Sequence, residues 1–572
     1  MINYLRNFKN FYSTKQIVQI RVFFLLSIIG MILEILSVGL IIPLLTLLVE
    51  PTFSTNLINI LKIYGFHIAS EKDLILSTIF LLLFVFFIKT LFLTYVSFKQ
   101  TKFTTNFKTE VTNKLFNIYL SKPYIFHLYN NSAKLIRNLH DSTYIVIITK
   151  SVLILMSEIT VVFGIFCLMI FYEPLGTILT FLFLSISGYL FYIAVQRNAA
   201  KWGASRKFHE GNRIQWLQQG LAAIKDIKIL NKLEYFLNSF SKQNKITNES
   251  LFKEQYASSL PRLWLEFFAI IGFIILFLIL INLKKNFYEI IPIVGFFIAA
   301  AFRIMPSVTR VMNSIQNIKF GLPVVDTYLK EFKSSMDSEK VFLNPTKLKF
   351  NESIELVNIN YSYPNSTKKI LNNLNIKIPI DTSIGIYGES GVGKSTFLNV
   401  FLRLLEPQSG KILIDGQDIP DKSREWQNIL GYVPQNVYLS DVSIAKNIAL
   451  GVEENLIDME KVKKCAQKTN LEQFIENLDN GYSTKVGELG ERISGGQRQR
   501  IGIARALYND TKILVLDEYT NSLDNENEKK IINEVNSLKP GRIIITVSHK
   551  DSTLKYSDFI YKLTYKDGLL KQ

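Results

Sequence analysis

Gly388-Glu-Ser-Gly-Val-Gly-Lys-Ser395 sets the architecture of the C-terminal half of this 572-residue chain. The apolar, β-rich run 383–387 leads into it and a helical pattern over 396–405 comes after, so the stretch predicts strand, glycine-rich loop and helix. Glycines let backbone N–H groups fold around phosphate oxygens, and a helix N-terminus adds partial positive charge. Lys394 brings a full charge to the β and γ phosphates, and the Ser395 hydroxyl is a ligand for Mg²⁺. The predicted triphosphate cradle is therefore Gly388, Glu389, Ser390, Gly391, Val392, Gly393, Lys394, Ser395 and Thr396.

Phosphoryl transfer also needs a metal carboxylate and a group that orients or deprotonates the attacking water. Ile513-Leu-Val-Leu-Asp-Glu518 supplies both: Asp517, ending an apolar strand, suits the Mg²⁺ shell, and Glu518 suits the water. Between the two motifs, Ile493-Ser-Gly-Gly-Gln497 precedes a helical pattern over 498–507 and offers a second anion-binding helix N-terminus. Past Phe342, short β-rich runs at 383–387, 411–414 and 512–516 alternate with helical segments, which predicts a soluble α/β domain.

Upstream the composition changes. Hydrophobic residues make up 48% of the chain, and the excess lies before about residue 310. A hydrocarbon core needs about 20 apolar residues in a helix, and six runs satisfy that: 22–48, 74–98, 144–171, 175–195, 263–283 and 290–308. The first is too long for a cleaved signal peptide and has no small-residue cleavage site after it, so it is expected to stay as an anchor. The connections 99–141 and 196–261 are rich in Lys and Arg, whereas 49–72, 172–174 and 284–289 carry few, which places both termini in the cytoplasm. The two basic connections are long and helical in pattern, and are expected to continue the membrane helices into water. The run 56–66 has an apolar helical face suited either to the membrane interface or to an ordinary packed loop helix.

The net charge of +17 is concentrated beside these spans, so topology and anionic lipid headgroups account for it, and no aromatic-basic RNA motif points to nucleic acid. Cys167 and Cys465 cannot form a disulfide framework, and neither they nor the five histidines have metal-cluster spacing.

Eight charged residues lie in or at the ends of the apolar runs: Glu34, Lys89, Lys150, Glu158, Arg262, Glu266, Arg303 and Arg310. A charge facing hydrocarbon costs at least about 3 kcal/mol, so these must face protein or water. Three acids neutralise only three of the five bases. Arg303 and Arg310 are two helical turns apart, roughly 10 Å along one side, and Pro306 between them predicts a kink or local unwinding. Such a cationic lining attracts an anion, with a diphosphate headgroup the natural candidate. Internal ion pairing alone is the other reading.

Ser494-Gly-Gly-Gln497 before its helix resembles the signature of ATP-binding cassette (ABC) proteins, and the whole chain resembles their exporter-type half-transporters. The resemblance implies a six-helix transmembrane domain over 1–325, a linker over 326–350 and an α/β ATPase domain over 351–572. It implies ATP and Mg²⁺ as cofactors, hydrolysis coupled to transport, and a second copy of the chain that clamps ATP between the loop of one and Ser494, Gly495, Gly496 and Gln497 of the other. Tyr363 resembles the aromatic that stacks on adenine, Gln435 the glutamine that senses Mg²⁺, His549 the switch histidine that acts with Glu518, and Ser522-Leu-Asp524 the loop joining the two ATP sites. By the same analogy, 124–131 and 213–221 would transmit closure to the membrane half. Ile493, Tyr519 and Asn521 depart from the usual residues without removing a catalytic group.

Outside the ATPase half, Ile246-Thr-Asn-Glu-Ser250, Pro261-Arg-Leu-Trp-Leu-Glu266 and Phe302-Arg-Ile-Met-Pro-Ser-Val-Thr-Arg310 resemble the bacterial lipid-linked oligosaccharide flippases of protein N-glycosylation. That likeness implies an inner-membrane protein whose Lys89, Arg262, Arg303 and Arg310 meet the diphosphate of a polyprenyl-linked oligosaccharide, and whose 56–66 run meets the lipid tail. A lipid A or multidrug exporter, and a membrane-tethered ATPase that regulates without pumping, are the competing readings.

Overall fold

The computed structural model describes residues 12–49, 53–55, 57–58, 63, 70–282, 287–336, 350–364, 366, 368–418, 424–521, 523, 525–564 and 568–571. The chain forms two compact units, Met1–Lys122 with His127–Lys340, and Pro123–Phe126 with Val341–Gln572.

The first unit is helical. Its elements are α1 (Thr14–Gly39), α2 (Ile41–Val49), α3 (Glu71–Ser121), α4 (Tyr124–Tyr129, shared with the second unit), α5 (Ser132–His140), α6 (Ser142–Tyr172), α7 (Pro174–Ala194), α8 (Ala199–Ala222), α9 (Ile224–Ile229), α10 (Leu233–Asn282) and α11 (Phe287–Met336). Among the described residues, six helical stretches are long and apolar enough to cross a membrane, one for each run expected from the sequence. The first run is broken between α1 and α2, because Pro43 has no N–H to give the Gly39 carbonyl.

With 51, 50 and 50 residues, α3, α10 and α11 are each about 75 Å long, more than twice a hydrocarbon core of about 30 Å, so they run on into water. The Ser13 side chain and Gln16 close α1 with a capping box, and Ser70 caps α3 ahead of Glu71 and Asp73, whose charges suit a helix N-terminus. The expected unwinding at Pro306 is absent: α11 is continuous there. The Ser307 hydroxyl, 3.2 Å from the Arg303 carbonyl, reinforces the turn beside the one backbone bond that proline removes. The stretch 213–221 is also no separate helix, being part of α8, and the short helix is α9, just beyond it.

Below the membrane spans, α8 crosses α11 so closely that a Cβ on Gly203 would lie 1.9 Å from the Phe320 carbonyl oxygen, a contact only glycine allows. Buried Asp141 accepts from Arg206, which also lies over the Tyr144 ring, while Lys207 donates to Thr327 and the Pro323 carbonyl. Tyr328 donates to the Asn138 carbonyl at 2.7 Å, and the Asn138 amide donates to the Tyr119 hydroxyl at 2.8 Å. Each buried charge here has a partner, the condition under which burial is tolerated.

Among the described residues, the second unit has two sheets. The antiparallel one has the order β2 (Leu371–Pro379), β1 (Ser353–Tyr361), β4 (Ser409–Ile414), β5 (Gln417–Asp418). The other has the order β10 (Gly568–Lys571), β9 (Phe559–Thr564), β3 (Ser383–Tyr387), β8 (Ile543–Val547), β7 (Ile513–Asp517), β6 (Leu430–Val433), parallel except at β10. Its central strands are buried and mostly apolar, as strands covered on both faces are. One face buries Ile384, Ile386, Val515 and Ile545 with Phe397 and Phe401 of α12 (Lys394–Phe401). The other buries Leu514, Leu516 and Ile544 with Ile501 and Ala504 of α13 (Gly495–Tyr508). Because β3, β8 and β7 are parallel neighbours, the segments leaving their carboxyl ends emerge together: the 388–395 loop, His549 and Asp517-Glu518. In open parallel sheets that edge is where ligands bind.

Candidate functional site

The phosphate loop leaves β3 and ends in α12, as the sequence predicts. Gly391 and Gly393 take φ of 82° and 111°, the left-handed region closed to most side chains. Lys394 folds back inside the loop, its Nζ donating to the carbonyls of Gly388 at 2.9 Å and Glu389 at 3.0 Å. Glu389, Ser390, Gly391 and Ser395 are exposed along the mouth, whereas Gly388, Val392, Lys394 and Thr396 are buried. Burial lowers the Lys394 ammonium from its ordinary range, opposed by the charges of Glu518 and Asp517, so these two carboxylates lie within electrostatic reach of the loop.

Burial and then the charge of Glu518 raise Asp517, while a hydrogen bond from Tyr432 and the charge of Lys394 work against the rise. Glu518 itself has φ 47° and its N–H donates to the Val547 carbonyl at 2.8 Å, tying the end of β7 to β8. Its carboxylate collects three neighbours: Gln435 Nε2 at 2.6 Å and Asn521 Nδ2 at 2.6 Å on Oε2, and His549 Nε2 at 3.3 Å on Oε1. The structure thus joins Glu518, His549 and Gln435, which lie far apart along the chain. It adds Asn521, which the sequence marked only as unusual, and Gln499, whose side chain donates to the Gln435 carbonyl at 2.8 Å. Ser395, Asp517 and Gln435 present oxygen donors, the kind that Mg²⁺ takes, and Asp517 is held within the field of the loop lysine.

Tyr363 lies against the same loop helix, its hydroxyl 3.2 Å from Thr396 Oγ1 and its ring edge-on to Tyr361. Ser494 caps α13: its Oγ accepts from the Gln497 N–H at 3.3 Å, and Gln497 Oε1 accepts from the Ser494 N–H at 2.9 Å. Ser494 and Gly495 are exposed and Gly496 partly so, which leaves this helix end open to an outside ligand. Asp524 and Ser522 lie outside the described residues, as does most of 56–66.

The four bases expected to meet an anion all have acidic partners. Lys89 Nζ is 3.3 Å from Glu34 and 4.0 Å from the Phe86 ring centre. Arg303 reaches the other Glu34 oxygen at 2.8 Å and Glu158 at 3.9 Å, and Arg310 grips Glu158 with two nitrogens at 2.7 and 3.1 Å. Arg262 pairs with Glu266 at 2.8 Å one helical turn away, with 78% of its side chain exposed. The membrane network is therefore a chain, Lys89–Glu34–Arg303–Glu158–Arg310, across α3, α1, α11 and α6, with three cations on two carboxylates. Lys150 is exposed and outside it. Among the described residues, no group of three or more His, Cys, Asp or Glu is arranged for a metal.

A six-span helical domain ahead of a parallel-sheet ATPase with this loop, signature helix and carboxylate pair defines an ABC half-transporter. The comparisons agree. The model of the ABC transporter transmembrane region matches residues 11–305, more than half of the chain, and the ABC transporter model matches 371–521, so the chain belongs to the ABC transporter family. It is a multi-pass membrane protein that uses ATP with Mg²⁺ and couples hydrolysis to transport. Among relatives, the ATP-dependent lipid A-core flippase of Wigglesworthia glossinidia brevipalpis is 27% identical over 543 residues, 91% of this chain and 90% of that protein. The flippase of the same description in Saccharophagus degradans is 39% identical over 254 residues, covering 44% and 42%. A bacterial Atm1-family ABC exporter with ATP bound shares the fold with a TM-score of 0.73 at 20% identity, over 94% of this chain and 93% of that one.

Proposed function

We propose that two copies of this chain form a flippase that moves an anionic lipid from the cytoplasmic to the outer leaflet of a bacterial inner membrane, both termini lying in the cytoplasm. The favoured cargo is a polyprenyl-diphosphate-linked oligosaccharide used in protein N-glycosylation, as implied by the resemblance of 246–250, 261–266 and 302–310 to the flippase PglK. The observation that carries the reading is the membrane network, in which Lys89, Arg303 and Arg310 have, among the described residues, Glu34 and Glu158 as their acidic partners. Within this network one positive charge is left over, two in a dimer, and a diphosphate matches both its sign and its hydrogen-bonding needs.

In the ATPase half, Ser395, Asp517 and Gln435 hold Mg²⁺, Lys394 and the loop N–H groups hold the phosphates, and Tyr363 stacks on the base. Glu518 orients the attacking water, and His549, in contact with it, holds the γ-phosphate side of the site. Ser494–Gln497 and Asp524 of the second copy complete each site. ATP favours the closed pair of cassettes, and by the family analogy closure reaches the membrane half through 124–131 and 213–221.

A second reading, export of a lipid A-core lipid, is favoured by the relative that matches 91% of the chain and bears that name. Proteoliposomes with a labelled polyprenyl-diphosphate glycan or a lipid A-core lipid test both. Wild type is expected to flip the glycan lipid with ATP, and Arg303→Ala and Glu518→Gln to fail. Flipping of the lipid A-core lipid alone would move the assignment to the second reading. Glycan transport unaffected by Arg303→Ala would remove the headgroup role.

A further inference from the structure

The N-terminal part of the first helix and the middle of the third enclose a cleft of about 560 Å³, away from the charge network. On α3, Tyr95, Lys99, Lys102 and Asn106 recur at three- and four-residue spacing and so share one helix face. Lys99 is ten residues beyond Lys89, about 15 Å along the helix, just past the apolar run 74–98. Lys15 of α1 lines the opposite wall. The floor is apolar, with buried Phe23 and Phe103 in edge-to-face contact at 5.6 Å between ring centres.

The one acidic residue in the lining, Glu110, accepts from Gln16 at 2.7 Å. The three lysines are exposed, and among the described residues none of them is held in an ion pair. An apolar floor beneath a rim of exposed ammonium groups, with Lys99 lying 5.3 Å from the centre of the Tyr95 ring, next to the end of the apolar run 74–98, has the two-part chemistry of an anionic phospholipid: acyl chain against the rings, phosphodiester on the lysines.

We infer that this cleft binds an anionic phospholipid of the bilayer as a structural ligand, distinct from the cargo. That the lipid comes from the cytoplasmic leaflet rests on the orientation proposed above, but binding itself does not.

The test uses the full-length protein in detergent, with Cys167→Ser and a reporter cysteine at Gln19→Cys, an exposed position in the cleft lining. Phosphatidylglycerol is expected to slow maleimide labelling of the reporter, whereas phosphatidylcholine and inorganic phosphate leave it unchanged. Lys99→Gln with Lys102→Gln should weaken the phosphatidylglycerol effect roughly 30-fold, about fivefold for each lysine near an anionic lipid, and arginine at both positions should keep it. Unchanged ATP turnover in the glutamine variant shows that it has folded. Protection before any lipid is added would mean that a second copy covers the cleft, and equal protection by both lipids would mean that the lysines play no part; either result overturns the inference.

Discussion

Glu518 in the cassette and Glu34 in the membrane unit are both carboxylates that gather several side chains, but the partners differ in kind. Glu518 is held by two amides, which orient it without cancelling its charge, and by the His549 imidazole on its other oxygen. Glu34, with 2% of its side chain exposed, is gripped by an ammonium and a guanidinium. One arrangement preserves an anion for chemistry on water, whereas the other uses up an anion to hold cations in a place that would otherwise reject them.

The largest effect expected from this contrast is on Glu518→Gln. ATP turnover should fall on the order of 10²–10⁴-fold, the range for losing a positioned base, while nucleotide binding persists because the loop and Lys394 are untouched. Phosphate release and retained nucleotide, measured on the same sample, separate the two. Turnover within a few-fold of wild type would break the comparison at its cassette end.

Glu34→Gln probes the other end. It leaves Lys89 and Arg303 without their shared counter-charge, and breaking a buried pair costs about 3–5 kcal/mol. Thermal unfolding in detergent should show the loss, and adding Arg303→Gln should recover part of it, because fewer uncompensated charges remain buried. A double variant no more stable than Glu34→Gln alone would mean that the two groups do not act as a pair.

These two sites were unequally legible in the sequence. The phosphate loop and Ser494–Gln497 could be read directly because each is local: a turn needing left-handed glycines, or a helix N-terminus capped within three residues. The six spans could be read because the bilayer fixes their length. Partners could not be read where the contact spans distance in sequence, as from Lys89 to Glu34, 55 residues, or Arg310 to Glu158, 152 residues. The charges stood out; their pairing is a property of helix packing. Arg262 and Glu266 differ in that their spacing of one helical turn is enough to bring them together, yet this pair too was not read from the sequence. The break at Pro43 and the unbroken helix at Pro306 show the same limit, since proline removes one bond and the surrounding packing determines whether the helix survives the loss.

Acidity tests the cassette site in a second way. Asp517 is raised by burial and then by Glu518, so the folded cassette keeps this proton at a pH where the unfolded chain has released it. Below the unfolded value both states are protonated and the group has no effect. As pH rises through the carboxylate range, the group makes the nucleotide-free protein less stable. Mg²⁺ needs the ionised carboxylate, so Mg-ATP affinity should climb over the same window while nucleotide-free stability declines. Asp517→Asn should flatten the contribution of this group to both. Parallel binding and melting curves from about pH 4 to about 7 check the opposite slopes.

The smallest effect belongs to Asn521, and it decides whether the amide partners of Glu518 are functional or incidental. Its amide donates to the carboxylate oxygen that also receives Gln435, both at 2.6 Å, so the two amides fix the rotation of the carboxylate while His549 meets the other oxygen. Removing one such bond from an exposed side chain is worth about 1 kcal/mol, so Asn521→Ala should lower kcat roughly fivefold and leave KM for ATP unchanged. Asn521→Asp should do more harm than alanine, since it sets a like charge against Glu518. If both variants match wild type, Gln435 and His549 suffice to orient the carboxylate, and the contrast with Glu34 then rests on two partners instead of three.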